Sequence, residues 1–163
     1  MLKKILLFIT LFLIIPSTYS ITITQEVADD ILFDLTSIAP TEAGDYFENS
    51  YERDATTLNV VTLLSTTSWK VSAKLSVFIH SGSEKIKVRL KRIGNGTGLI
   101  IPSGGGSFET INQTTYTDLF SGTGSRLNIP IRTRVEGIGV SDEFGTFDTT
   151  IEYKVESYLQ PIE

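Results

Sequence analysis

Acid–base and nucleophilic chemistry have few candidate residues in this sequence. His80 is the single histidine, and it follows a predicted strand and precedes Ser81 and Gly82. A lone imidazole could act as a general base, but no Gly-x-Ser-x-Gly nucleophile motif accompanies it. The chain has no cysteine, which excludes thiolate nucleophiles, thiolate metal sites and redox motifs. We therefore predict that the protein is not an enzyme, with no catalytic residue and no cofactor.

Metal binding would have to use acidic segments. Asp142, Glu143 and Asp148 surround Gly145, and carboxylate oxygens on loops of this kind suit calcium. The acids from Asp45 to Asp54 allow the same two interpretations, calcium binding or a solvated loop. No EF-hand pattern accompanies either group, so the solvated loop is favoured and no metal ligand is assigned.

Phosphate and sugar binding have weak signals. The glycine-rich segment Gly94–Gly106 lacks the lysine and hydroxyl residue that end a phosphate-binding loop, so we predict an ordinary loop. Trp69 is the only tryptophan. The alternation around it places its side chain in the core, and this argues against an aromatic platform for carbohydrate.

A basic ladder is the surface feature with the most functional promise. Lys85, Lys87, Arg89 and Lys91 alternate with Ile86, Val88 and Leu90, so the four cations share one strand face. Lys70 and Lys74 are expected beside them across a hairpin. One interpretation is that this face binds an anionic polysaccharide. The favoured alternative is pairing with Glu152, Glu156 or other acids on an adjacent strand.

The N-terminus predicts export. Lys3 and Lys4 precede the apolar run Ile5–Ile15, and Pro16 and small residues follow it, which is the order of a secretory signal peptide. We predict cleavage after Ser20. The alternative is a retained anchor, but the run is shorter than the ~20 apolar residues that a membrane-spanning helix needs. No membrane span is expected after cleavage, and the protein is expected to be secreted, periplasmic or on the cell surface.

Length and charge set further limits. Residues 21–163 suffice for one domain. The net charge of −5 argues against nucleic acid as a partner.

Alternation of apolar and polar residues predicts an all-β domain. Trp69–Phe78 and Lys85–Arg92 alternate well around Ser81-Gly82-Ser83, and they are predicted to form a hairpin. Residues 40–55 are predicted to be a loop, and Pro130 suggests that its strand lies at an edge or carries a bulge. Seven to nine strands with frequent turns indicate a two-sheet antiparallel sandwich, with a closed barrel as the alternative.

The C-terminal segment Gly145–Val155, a glycine and an aromatic residue before an alternating threonine-rich strand, is similar to the end of bacterial pilin-like and spore-coat-U-like secreted β-sandwiches. The resemblance implies an immunoglobulin-like sandwich that is completed by an N-terminal donor strand from a neighbouring subunit. Ile21, Ile23 and Val27 have the alternation that such a strand needs. The chain departs from those families in having no cysteine. Ile21–Val27 could equally be the first strand of its own domain.

Together these features predict an exported structural or adhesive surface protein, a subunit of a pilus-like or coat assembly, whose partners are copies of itself or related subunits. The alternative is an extracellular or periplasmic binding module for an anionic glycan or another surface polymer. An enzyme is a third and less favoured class.

Overall fold

The computed structural model describes residues 20–25, 50–78, 86–137 and 149–157. Several predictions concern residues outside these ranges. They are residues 1–19 of the predicted signal peptide (residues 1–20), donor-strand residue Val27, loop residues 40–49, His80, ladder residue Lys85, and the acidic segment that contains Asp142, Glu143 and Asp148.

The described residues form nine strands in two antiparallel sheets. The five-stranded sheet has the order β1-β2-β8-β4-β6 and the four-stranded sheet has the order β5-β7-β3-β9. The predicted all-β sandwich is confirmed, and within the described part the sheets do not close into the alternative barrel. The strands are β1 (Ile21–Gln25), β2 (Ser50–Thr62), β3 (Ser68–Phe78), β4 (Lys87–Arg92), β5 (Ser103–Gly104), β6 (Glu109–Thr110), β7 (Thr117–Thr123), β8 (Arg126–Glu136) and β9 (Thr149–Ser157).

The core lies between the sheets and follows the alternation in the sequence. Trp69, Val71, Ala73 and Leu75 on β3 are buried, as predicted. The opposite sheet contributes every second residue of three strands, each with at most 3% of its surface exposed: Leu58, Val60, Val88, Leu90, Ile129 and Ile131. Burial of each large apolar side chain contributes about 1.5–3 kcal/mol. The cluster therefore supplies the main favourable term for a domain without disulfides.

The predicted hairpin between β3 and β4 is wrong. β3 pairs with β7 and β9, whereas β4 pairs with β6 and β8 in the other sheet. Both strands point apolar residues at one core, so their alternation is the same whether they are neighbours or lie in facing sheets. Lys70 and Lys74 are therefore remote from the basic ladder.

β2 begins earlier than predicted. Residues 50–55, which were predicted to lie in a loop, belong to this strand, and residues 50–54 pair with β8. Tyr51 is buried, while Glu52 and Asp54 point outward and pair with arginines of β8. An acid-rich segment is typical of a solvated loop. Here Glu52 and Asp54 instead form one side of a cross-strand charge ladder. The loop interpretation is wrong for Glu52 and Asp54.

Pro130 lies in β8, which is a central strand, so the predicted edge position is wrong. The Pro130 carbonyl accepts a hydrogen bond from the amide of Ile93. Its nitrogen carries no hydrogen, so position 130 accepts this bond but donates none to the ladder. A bulge does occur nearby, because Leu58 pairs with Ile129 but Val60 pairs with Arg126.

Candidate interaction surfaces

The outer surface of the five-stranded sheet carries a cationic face, which comprises Lys87, Arg89 and Lys91 of β4 and Arg132 and Arg134 of β8. The antiparallel register places Arg89 opposite Arg134 and Lys91 opposite Arg132. Like charges directly opposite each other are unfavourable, so acids are needed between them. Three of the four predicted ladder residues are described, and the structure brings those three together.

Acids from β2 and β8 neutralise most of the cationic face. Glu136 lies between two guanidinium groups, with a carboxylate oxygen 3.3 Å from Arg89 Nε and the other 3.4 Å from Arg134 Nη1. Arg134 also pairs with Glu52. The prediction that an acid on an adjacent strand pairs with the ladder is therefore confirmed for Arg89, whose partner is Glu136 of β8.

Asp54 completes this network. Its Oδ1 accepts a hydrogen bond of 2.6 Å from Arg132 Nε. That bond lowers the pKa of Asp54 below its ordinary value and raises the pKa of Arg132. The carboxylate therefore stays ionised in mildly acidic solution, and the pair persists there.

The acids predicted to pair with the ladder lie in the other sheet. Glu152 pairs with Lys74 at 3.1 Å, and Glu156 pairs with Lys154 at 2.7 Å. Both acids belong to β9, which is remote from β4. Their predicted pairing with the ladder is wrong, because it assumed that β4 and β9 are in one sheet.

Lys87 and Lys91 are the cations of this face that form no ion pair with another described residue. Lys91 Nζ lies 5.3 Å from the centre of the Phe108 ring, and the Arg134 guanidinium lies 3.8 Å from the same ring. Phe108 thus holds two cations by cation–π attraction. Sequence reasoning missed Phe108, because it follows the glycine-rich loop and belongs to no alternating segment.

The outer surface of the four-stranded sheet is charge-compensated. Lys70 pairs with Asp118 at 2.9 Å, and the Ser72 hydroxyl donates to the other oxygen of Asp118 at 2.8 Å. These bonds, mainly that from Lys70, lower the pKa of Asp118. Tyr116 donates to Glu152, and this bond raises the pKa of the phenol. Among the described residues of this surface, each lysine has an acidic partner.

β1 closes one side of the sandwich. It pairs with β2 in antiparallel register, from Ile21 opposite Thr62 to Gln25 opposite Leu58. Ile21 and Ile23 are half-buried and pack against the core, where Ile151 and Val155 of β9 also lie. In this chain the first strand pairs within its own domain, which is one of the two alternatives left open by the sequence.

β1 and β9 are the edge strands on this side. Each has a hydrogen-bonded neighbour on one side only among the described residues. The two strands contact each other across the gap between the sheets. The free edges of both strands can accept a further strand by backbone hydrogen bonds.

Comparison with known proteins gives no family for this chain. No family model matches it, and no curated protein matches its sequence. The resemblance to pilin-like and spore-coat-U-like proteins therefore stays a prediction.

Within the described ranges, no helix is long and apolar enough to cross a membrane. No group of three or more acidic or histidine side chains in that part of the chain could hold a metal ion.

Proposed function

We propose that the protein is a structural or adhesive subunit of an exported surface assembly, and that subunits are joined by exchange of strand β1. In this arrangement, β1 of one copy pairs with β2 of the next and covers its core. The place of β1 in the fold is the observation that carries the proposal. Among the described strands β1 pairs with β2 alone, and it presents two half-buried isoleucines to a groove between two sheets.

The energetics of β1 favour exchange. The strand has five residues, so a short ladder is all that holds its backbone. Pairing with β2 of a neighbour restores the same hydrogen bonds and the same apolar contacts, and this makes exchange a low-cost route to assembly.

The length of chain between the strands also favours exchange. Residues 26–49 separate β1 from β2 in the sequence. Twenty-four residues can span up to about 80 Å when extended. Covalent length therefore does not restrict β1 to the β2 of its own copy.

A reversible disulfide lock tests the proposal. Thr22 and Val61 are register partners on β1 and β2, and both are exposed. Opposite positions in an antiparallel pair have the Cα separation that a disulfide needs. Because the chain has no cysteine, a Thr22→Cys/Val61→Cys variant contains one possible pair. Mass spectrometry establishes whether the bond is within one chain.

We expect the oxidised, internally locked variant to lose strand-exchanged oligomers in sedimentation velocity experiments, and reduction to restore them. The single variant Thr22→Cys, treated in the same way, controls for oxidation itself. If the locked protein forms the same oligomers as the reduced protein, strand exchange is wrong.

An anionic polysaccharide is the second candidate partner. The observation that favours it is the pair of lysines on the cationic face, Lys87 and Lys91, that lack an acidic partner among the described residues. It ranks second because the three arginines of that face are paired with acids.

A further inference from the structure

One end of the sandwich, which we call the apolar pole, consists of residues 61–67, 93–102 and 124–128. Among the described residues, seven large apolar side chains are substantially exposed, and all seven lie in these three segments. Leu99 is the extreme case, with 93% of its surface exposed. Exposed apolar residues scattered singly are normal, but a cluster of this kind marks an interaction site. The seven are Val61, Leu63, Leu64, Leu99, Ile100, Ile101 and Leu127.

Hydrogen bonds between the segments hold the three segments next to each other. Thr97 and Leu127 exchange two backbone hydrogen bonds of 2.7 and 2.9 Å. The amide of Gly124 donates to the Thr67 carbonyl at 2.9 Å, and the amide of Thr62 donates to the Ser125 hydroxyl at 3.0 Å. The three segments therefore form one surface.

Two arginines make the protruding loop of this surface rigid. Arg126 is buried, and its guanidinium donates to the backbone carbonyls of Asn95, Gly96 and Ile100 at 2.6–3.0 Å. Arg92 donates to the carbonyls of Gly94, Pro102 and Gly104 from the other side. Leu99, Ile100 and Ile101 are thus presented on a preorganised loop, which reduces the entropy lost on binding.

The apolar pole is also uncharged at its surface. Residues 61–67, 93–102 and 124–128 contain one ionisable side chain, that of Arg126, and it is buried and bonded to carbonyls. The protein as a whole has a net charge of −5. Two copies carry the same net charge, and contact through their uncharged poles brings no like charges together at the interface.

We propose that the apolar pole is the interface of a two-fold symmetric dimer of this chain. An apolar surface is best covered by another apolar surface. In the described part of a second copy, the matching surface is the same pole. Contact between identical surfaces is isologous and closes at two subunits. This contact is separate from the exchange of β1 and does not depend on it.

Substitution of the protruding side chains tests the dimer in the full-length exported protein. Leu99→Ser/Ile101→Ser removes two exposed apolar groups, so we expect the fold to be unchanged and the dimer dissociation constant to rise about tenfold or more. Sedimentation velocity over a range of concentrations measures the constant, and circular dichroism checks the fold. The matched control is Lys87→Ser/Glu109→Ser, which changes two exposed residues outside the pole and should leave the constant unchanged.

The oxidised Thr22→Cys/Val61→Cys variant separates this proposal from strand exchange. The variant replaces the pole residue Val61, so its reduced form is the reference. The dissociation constant of the pole dimer should be the same in the oxidised and the reduced variant, because locking leaves β1 in place and the pole unchanged. A dimer that disappears on locking but tolerates the loss of Leu99 and Ile101 would overturn the pole interface and support strand exchange alone. A wild-type protein that remains monomeric would also overturn it, as would one that instead floats with neutral phosphatidylcholine vesicles.

Discussion

At the scale of single residues, the packing of Trp69 against β7 sets a sharp requirement for glycine. The Trp69 side chain is fully buried, and its indole nitrogen donates to the Gly124 carbonyl at 2.6 Å. Gly122 lies opposite Trp69 in the β3–β7 register, and a Cβ at that position would overlap the six-membered ring. The glycine is thus dictated by close approach of an aromatic ring to the backbone.

Gly122→Ala should therefore lower the free energy of unfolding by about 1–3 kcal/mol, the usual range for overpacking of a core. Urea denaturation measures the change. Gly106→Ala is the matched control, since a Cβ there has no atom within 4 Å, and it should change stability by less than about 0.5 kcal/mol. Equal effects of the two substitutions would contradict the assigned contact.

The contribution of Asp118 to the stability of the fold should depend on pH. Because Lys70 and Ser72 lower its pKa in the folded state below the ordinary value of 3.8, the ionised form stabilises the fold. That contribution is complete well above pH 3.8 and is lost as the pH falls through the folded pKa. Its size is below about 1 kcal/mol, since the pair is partly exposed to solvent.

Asp118→Asn should thus flatten the acid side of the stability profile. Chemical denaturation from pH 7 to pH 2 should show the variant less stable than the wild type at neutral pH and equal to it at the acid end. A constant difference across the range would contradict the ionic origin of the effect.

At the scale of elements, the sequence predicted which residues face the core better than it predicted which strands are neighbours. Side chains alternate with a period of two whatever the partner strand is, so the inward faces of β3, β4 and β9 could be read directly. Lateral order depends on contacts that are distant in the sequence. The acid that pairs with Arg89 and the residue at which β2 begins are both set by the neighbouring strand β8. The local sequence pattern does not reveal which strand that neighbour is.

The residues of the candidate surfaces could likewise be predicted only where they follow the alternation of a single strand. Ladder residues Lys87, Arg89 and Lys91 lie on one outward face, as predicted. Phe108 and the buried Arg126 were not predicted, because each acts through groups that folding brings from other segments. Arg126 in particular stands in a stretch rich in serine, glycine and asparagine, where an arginine looks exposed.

The bulge in β8 gives a prediction at this scale. Asn128 has a positive φ of 54°, and its amide donates to the side-chain oxygen of Asn59 at 2.7 Å. Asn59 is buried. Asn59→Ala should lower the free energy of unfolding by about 1–3 kcal/mol, because the amide of Asn128 loses its acceptor. Thermal and urea denaturation measure the loss.

Asn128→Gly is the matched variant for the bulge. Glycine adopts a positive φ readily, and the backbone amide is retained. Its stability should stay within about 1 kcal/mol of the wild type. A large loss for Asn128→Gly together with none for Asn59→Ala would contradict this account of the bulge.

At the scale of the whole molecule, charge is distributed unevenly. The cationic face combines five basic residues with Glu52, Asp54 and Glu136, so it is positive on a protein whose net charge is −5. The apolar pole is neutral. An anionic polymer and a second copy of the chain would therefore use different parts of the surface, and both could be bound at once.

If the cationic face binds an anionic polysaccharide, Lys87→Glu/Lys91→Glu should abolish retention on heparin, while Lys154→Glu in the other sheet should not. Wild-type binding should weaken as salt rises, because exposed charges are screened. Retention unchanged by the double reversal would exclude this face as the binding site.

The register of the edge strands has a consequence for how the domain could be rearranged. Ile21 lies opposite Thr62, and Ser157 lies opposite Trp69, while the turn from Leu63 to Ser68 joins those two partners. The first and last described strands therefore reach the same end of the molecule, a short distance apart. A brief linker could join them, and the chain could then be opened at the far end as a circular permutant. Such a permutant would tether β1 to β9 and leave the sandwich otherwise intact.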